Sequence, residues 1–290
     1  PAEIVGLMKE YLWVIFWGLV AIFLYNYFAN LLRAVGNSVV PLVFLGTSAV
    51  LNVVLDLVCV LVFHWGVAGA AIATVFSQYV SGIGIWIYTW VRFPELRPEK
   101  RHMCWDRGIL KQITNLSLLT CVQQSIMNFG ILLVQSLVNS FGVATMAAFA
   151  AGVKIDSFAY SPAQDFANGF ATFVAQNTGA GKPERVKQGI REAALLSLSF
   201  CAVVSALVFL FARPLLTLFI DPGEREILAV GVHYLRVEGV FYVGIGLLFL
   251  LYAIYRGLER AGMSVVLTVI SLGLRVALAY AFAPHFGVTA

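Results

Sequence analysis

Charge is what this sequence has least of: lysine, arginine, aspartate and glutamate make up 12% of its 290 residues, against roughly 25% in ordinary soluble domains. With 60% of the residues hydrophobic, a water-soluble fold has too little polar surface to cover the chain, so that class is excluded. Cysteine is scarce as well. Cys59, Cys104, Cys121 and Cys201 show no Cys-x-x-Cys or Cys/His spacing, and three of them sit in apolar runs, so neither a metal site nor a disulfide is expected. His64, His102, His233 and His285 lie at or near connectors without a Ser, Cys or carboxylate at motif spacing, and no enzymatic activity is expected. The net charge of +4 resides in short connectors rather than on an aromatic-studded basic face, so no nucleic-acid partner is expected. "GAGKPER" (179–185) lacks the GxxxxGK[ST] spacing of a phosphate loop and reads as a turn. The chain opens on Pro1, and no signal-peptide pattern is visible.

Long apolar runs are what remains. Most charge-free stretches extend for about 20 residues, the length that crosses ~30 Å of hydrocarbon as a helix. Runs and breakers predict spans near 11–34, 41–63, 67–91, 113–140, 144–176, 190–218, 231–256 and 263–283, with a kink at Pro162 in the fifth. "GNSVVP" (36–41), "HWG" (64–66) and "DPGERE" (221–226) supply the helix-ending residues. The expected class is an all-α polytopic membrane protein embedded in the lipid bilayer. Lys and Arg fall thirteen in one alternate set of connectors and three in the other, which puts the basic connector "RFPELRPEKRHMCWDRGILK" on the cytoplasmic side of a plasma (inner) membrane. That connector divides the chain into 1–91, a linker at 92–112, and 113–290.

An internal repeat carries the organisation further. "YLWVIFWGLVAIFLY" (11–25) is echoed by "YLRVEGVFYVGIGLL" (234–248), Arg33 lines up with Arg256, "GNSVVP" with "GMSVVL" (262–267), and "HWGVAGAA" (64–71) with "HFGVTA" (285–290). The offset stays between 221 and 226. Parallel repeats of this kind predict two pseudo-symmetric helical bundles with a transport path between them. A six-helix unit then implies a protein of about twelve spans of which this chain is an internal piece.

Charged groups inside a span are expensive and are candidates for function. Asp56 and Asn52 lie one helical turn apart on one face, and Thr74 lies as deep as Asp56 across the tight "HWG" turn. A carboxylate, a carboxamide and a hydroxyl so placed suit Na⁺ or a proton. An interhelical hydrogen bond that only holds the helices together is the equal alternative. Asn26 and, more weakly, Tyr11 are polar candidates on the first span. In the fifth, Lys154 and Asp165 share a face, with Asp156 beside Lys154. They read as an ion pair or gate latch, or else as a proton relay or substrate contact. Arg275 requires an internal partner, and Arg236 and Glu238 are expected to reach the interface from a helix end.

"LLRAVGNSVVPL", "LNVVLDLV", "GVAGAAIATVFSQ" and "AAFAAGVKIDSFAYSPAQDFANGFATFVAQNTGAGKPER" together resemble the multidrug and toxic compound extrusion (MATE) transporters, over helices 4 to 11 of twelve. The resemblance implies a secondary active antiporter that exports amphipathic, often cationic small molecules against H⁺ or Na⁺ by alternating access. No cofactor beyond that coupling ion is implied, and the protein is expected to act as a monomer. In the DinF-like branch the coupling site joins an aspartate on the first helix, absent from this chain, to an Asn-x-x-x-Asp pair, a threonine and polar residues of the fourth helix. Asn52, Asp56, Thr74 and Asn26 match that pattern, and Tyr11 matches it less closely. The NorM-like branch uses a glutamate and an aspartate where this sequence has Met127 and about Ile245, which favours the DinF-like branch. A lipid-linked saccharide flippase of the same superfamily and a non-transporting scaffold are the alternatives.

Overall fold

In a bilayer every backbone N–H and C=O needs a partner within the chain, so long apolar runs become helices. The computed structural model describes residues 2–98 and 104–286, with side chains described except at 2–4, 7 and 283–286. Lys100, Arg101, His102 and most of the "HFGVTA" match lie outside the described residues. The helices are α1 (Ala2–Ala34), α2 (Val39–Leu57), α3 (Gly66–Arg92), α4 (Arg107–Asn139), α5 (Val143–Gly179), α6 (Pro183–Leu216), α7 (Arg225–Val240), α8 (Tyr242–Gly257) and α9 (Ala261–Phe286). No strand occurs among the described residues. By length and composition α1, α2, α3, α4, α6 and α9 can cross a membrane, and α7 with α8 forms a seventh, bent span. The all-α, polytopic membrane class expected from the sequence is the class observed. α5 is long enough at 37 residues but carries Lys154, Asp156 and Asp165. Twelve of its residues are buried, so its neighbours α6, α7 and α8 shield it from lipid.

The span expected over 231–256 is bent and is built from two helices. α7 and α8 meet at Phe241 with a bend of 48°. No proline causes this. The Ser205 hydroxyl of α6 donates to the Gly239 carbonyl at 2.6 Å, giving that carbonyl a partner outside its own helix, and Gly239, Gly244 and Gly246 weaken helix propensity over eight residues. Non-helical backbone accompanies a different proline from Pro162. Pro162 lies in one uninterrupted helical segment, whereas α6 departs from helical dihedrals at Phe211, φ −103° and ψ 17°, three residues before Pro214. There the proline ring collides with the carbonyl four residues back and withholds an N–H.

Helix ends are set by local chemistry. α1 closes with Gly36 at φ +88° and the Asn37 N–H on the Leu32 carbonyl at 2.8 Å. α8 closes the same way with Glu259 at φ +59° and the Arg260 N–H on Tyr255 O at 2.8 Å. The motif needs a left-handed residue, and the two copies are 223 residues apart, inside the offset of the sequence repeat. Asp106 caps α4, accepting from Gly108 N at 2.7 Å and Ile109 N at 3.1 Å. α2 ends in a π turn, Val58–Val62, with the Phe63 N–H on the Val58 carbonyl at 3.1 Å.

The chain forms two compact units that divide between Trp105 and Asp106. In the first, α1 packs along α3 through small residues. A methyl group at Gly82 would stand 2.7 Å from the Ala21 carbonyl oxygen, so the two backbones touch directly, as small residues allow in lipid. In the second, α8 packs on α5 in the same manner, and a methyl at Gly257 would stand 2.7 Å from the Ala171 oxygen. Around that contact Ala163, Ala167, Phe170 and Val174 of α5 meet Phe249, Leu250 and Ala253 of α8 in a continuous apolar core.

Candidate ion and proton sites

In the first unit the π turn and the short corner at His64, itself at φ +54°, fold α3 back against α2. Asn52 of α2 then reaches Thr74 of α3, its Nδ2 donating to Thr74 Oγ1 at 3.3 Å. Thr74 Oγ1 donates onward to the Ala70 carbonyl at 2.9 Å. Asp56 lies one turn along α2 from Asn52, two residues before the π turn, and its Oδ1 is buried with no hydrogen-bond partner among the described residues. A buried acceptor without a donor costs about 1–3 kcal/mol, more if charged.

The hydrogen bonds bring Asn52 and Thr74 together and leave the other first-unit candidates apart. Asn26 is exposed, and its Nδ2 donates to the Ile22 carbonyl of its own helix at 3.0 Å. Tyr11 is 37% exposed. Gln78, one turn beyond Thr74, holds a second buried acceptor without a partner, Oε1, against Gly18 of α1.

The second unit contains a polar cluster that sequence spacing only half discloses. Asp156 is 5% exposed. Its Oδ2 accepts from the Tyr234 hydroxyl of α7 at 3.0 Å, and its Oδ1 accepts a short hydrogen bond from the Tyr242 hydroxyl of α8. Glu238 of α7 lies beside Asp156 and Tyr234. Its Oε2 is buried and unpartnered, and its Oε1 is 3.6 Å from Arg275 Nη2. Arg275 therefore has its internal partner. Glu238, expected to reach the interface, is instead largely covered: its side chain is 19% exposed and lies beside Asp156 of α5. Arg236 lies over the Phe209 ring at 5.4 Å.

Lys154 and Asp165 do not pair. Lys154 Nζ lies over the Phe219 ring at 5.8 Å, Asp165 is exposed, and neither makes a salt bridge among the described residues. Eleven residues at 1.5 Å rise place them about 16 Å apart along the axis. Sequence reasoning missed Tyr234 and Tyr242 because tyrosine falls within the hydrophobic set that defines an apolar run. The available signal was the α7 run "HYLRVEGVFY", with Tyr, Glu and Tyr at four-residue spacing.

The family described as MatE matches residues 1–58 and 120–281. Among curated relatives, the probable multidrug resistance protein YpnP of Bacillus subtilis (strain 168) is 31% identical over 93% of this chain and 60% of its own length. The probable multidrug resistance protein NorM of Thermotoga maritima is 28% identical over 82% of the chain and 52% of its own length. The FAD transporter of Shewanella oneidensis is 29% identical over 84% and 54%. The chain thus spans half to three fifths of the relatives it matches. Among solved structures, an outward-facing multidrug resistance MATE family transporter of the MOP superfamily superposes with a TM-score of 0.92 at 24% identity, over 100% of this chain and 65% of that one. A point mutant of the Vibrio cholerae MATE transporter VcmN gives 0.90 at 20% identity, with coverage of 100% and 65%. These likenesses are to the fold, and it is the sequence match over both units that identifies the protein: the chain belongs to the MatE family.

Proposed function

We propose that this chain is part of an ion-coupled secondary transporter that exports amphipathic small molecules, cationic ones included, in exchange for H⁺ or Na⁺. The observation that carries the reading is the buried, unpartnered Oδ1 of Asp56 next to the Asn52–Thr74 hydrogen bond. An acceptor left without a donor in a membrane helix is suited to alternate between two occupancies. Only a ligand that binds the two conformations differently can drive a cycle between them. Relatives named as multidrug resistance and multidrug export proteins support the same substrate class. The proposal places the protein in the plasma membrane as a monomer with no cofactor other than the coupling ion, and the excess of Lys and Arg supports the cytoplasmic side for the 92–112 connector.

The test is ethidium flux from proteoliposomes under an imposed Na⁺ or H⁺ gradient, using the full transporter. Asp56→Asn is expected to abolish gradient-driven flux while expression and thermal stability are kept. Wild-type flux in the variant rejects Asp56 as the coupling group. Gradient-independent movement of a lipid-linked saccharide selects the flippase alternative, and no flux of any kind in the wild type selects the scaffold.

A further inference from the structure

The second unit encloses a cavity of about 120 Å³ between α4, α5 and α8. Its polar wall is Arg256 of α8, Gln164 and Asn168 of α5, and Gln123 and Gln124 of α4, with Phe249 and Tyr252 as an apolar floor. Among the described residues no aspartate or glutamate lines it. Arg256 Nη2 donates to Asn168 Oδ1 at 2.8 Å, and Nε reaches the Tyr252 carbonyl at 3.4 Å. A guanidinium has five N–H donors, so most of its fork stays open. Among the described residues no carboxylate is within ion-pair distance of it. Gln123, 6% exposed, makes no side-chain hydrogen bond among the described residues.

A half-buried guanidinium with amide neighbours and no acid is an electrostatic deficit that an anion corrects. An arginine at a helix end also answers to the helix dipole and the last carbonyls, but that role leaves Gln123 and the remaining N–H groups unaddressed. The planar fork matches a carboxylate or phosphate with two parallel hydrogen bonds. The cavity is smaller than the ~300–1,000 Å³ of a drug-sized pocket, so it takes the charged end of a ligand rather than the whole.

We propose that this cavity binds the oxyanion end, carboxylate or phosphate monoester, of an organic solute, with Arg256 as its cation and Gln123 as a neutral donor. The proposal deepens the transport reading and rests on it for the solute being a transported one. It shifts the substrate class towards zwitterionic and anionic amphiphiles.

The test is equilibrium binding of radiolabelled benzoate to the purified protein in phosphatidylcholine nanodiscs, with phenyl phosphate and the uncharged isostere benzamide as competitors. Saturable benzoate binding is expected, displaced by phenyl phosphate and not by benzamide, and weakened about tenfold or more by Arg256→Gln. Arg256→Lys is expected to keep part of the affinity, because it retains the charge without the fork. Undiminished binding in Arg256→Gln, or equal competition by benzamide, overturns the proposal. Should Arg256→Gln fail to fold, Gln123→Leu carries the test, and unchanged affinity there overturns it. Benzoate binding that disappears when phosphatidylglycerol is added to the nanodisc overturns the solute in favour of a lipid headgroup. Asp56→Asn should leave benzoate binding intact, so failure of the coupling reading and failure of this one are separately visible.

Discussion

Asp156 shows how one buried carboxylate is accommodated in a membrane helix without a cation in contact with it. Two phenol hydroxyls, from Tyr234 and Tyr242, donate to its two oxygens, and Arg275 acts only on the neighbouring Glu238. Removing one donor strands an acceptor in a low-dielectric interior. Tyr242→Phe is therefore expected to destabilise the second unit by about 1–3 kcal/mol, read as a lowered thermal midpoint of the purified protein. If the two groups act as one, Tyr242→Phe should cost less in an Asp156→Asn background, and strict additivity would separate them. At this scale the sequence discloses the acids and conceals their company. Asn52 and Asp56 are visible from a four-residue spacing, and Thr74 from a short turn, because those relations are local. Glu238 looks like an interfacial residue until Asp156, 82 residues earlier, is found beside it. Arg256 looks like a topology signal until Asn168, 88 residues away, is found beside it.

Elements were legible where breakers marked them and illegible where tertiary contact did. Gly36 and His64 with Gly66 end helices by local preference, so the helix limits beside them lie within a few residues of those expected, whereas α7 begins at Arg225, six residues before its expected start. The division of α7 from α8 depends on Ser205 of another helix, which no window along 231–256 contains. Pro162 and Pro214 carry the same chemistry, yet only the second accompanies non-helical dihedrals. Helix packing has its own test. Gly82→Ala and Gly257→Ala each push a methyl against a neighbouring backbone carbonyl and should destabilise by about 1–3 kcal/mol. Gly169→Ala in α5 meets nothing within 4 Å and is expected to be neutral or to stabilise by up to about 1 kcal/mol. Thermal melts of the three variants under one detergent condition make the comparison, and equal effects would remove the close-contact explanation.

For the whole molecule, the orientation inferred from basic residues is open to direct measurement. Cys104 is exposed in the 92–112 connector, and a membrane-impermeant maleimide is expected to label it in inside-out vesicles and not in right-side-out ones, with Cys104→Ser as the control. Labelling from the opposite side would invert every span. The repeat has a structural echo in the matching helix ends at 32–37 and 255–260, where glycine in the first copy is replaced by Glu259 in the second. The glycine contacts also have a mechanical meaning. At Gly82 with Ala21, and at Gly257 with Ala171, two main chains meet with no rotamer between them to yield. Such contacts set a hard limit of approach: α1 cannot move closer to α3 there, nor α8 to α5, without displacing main chain.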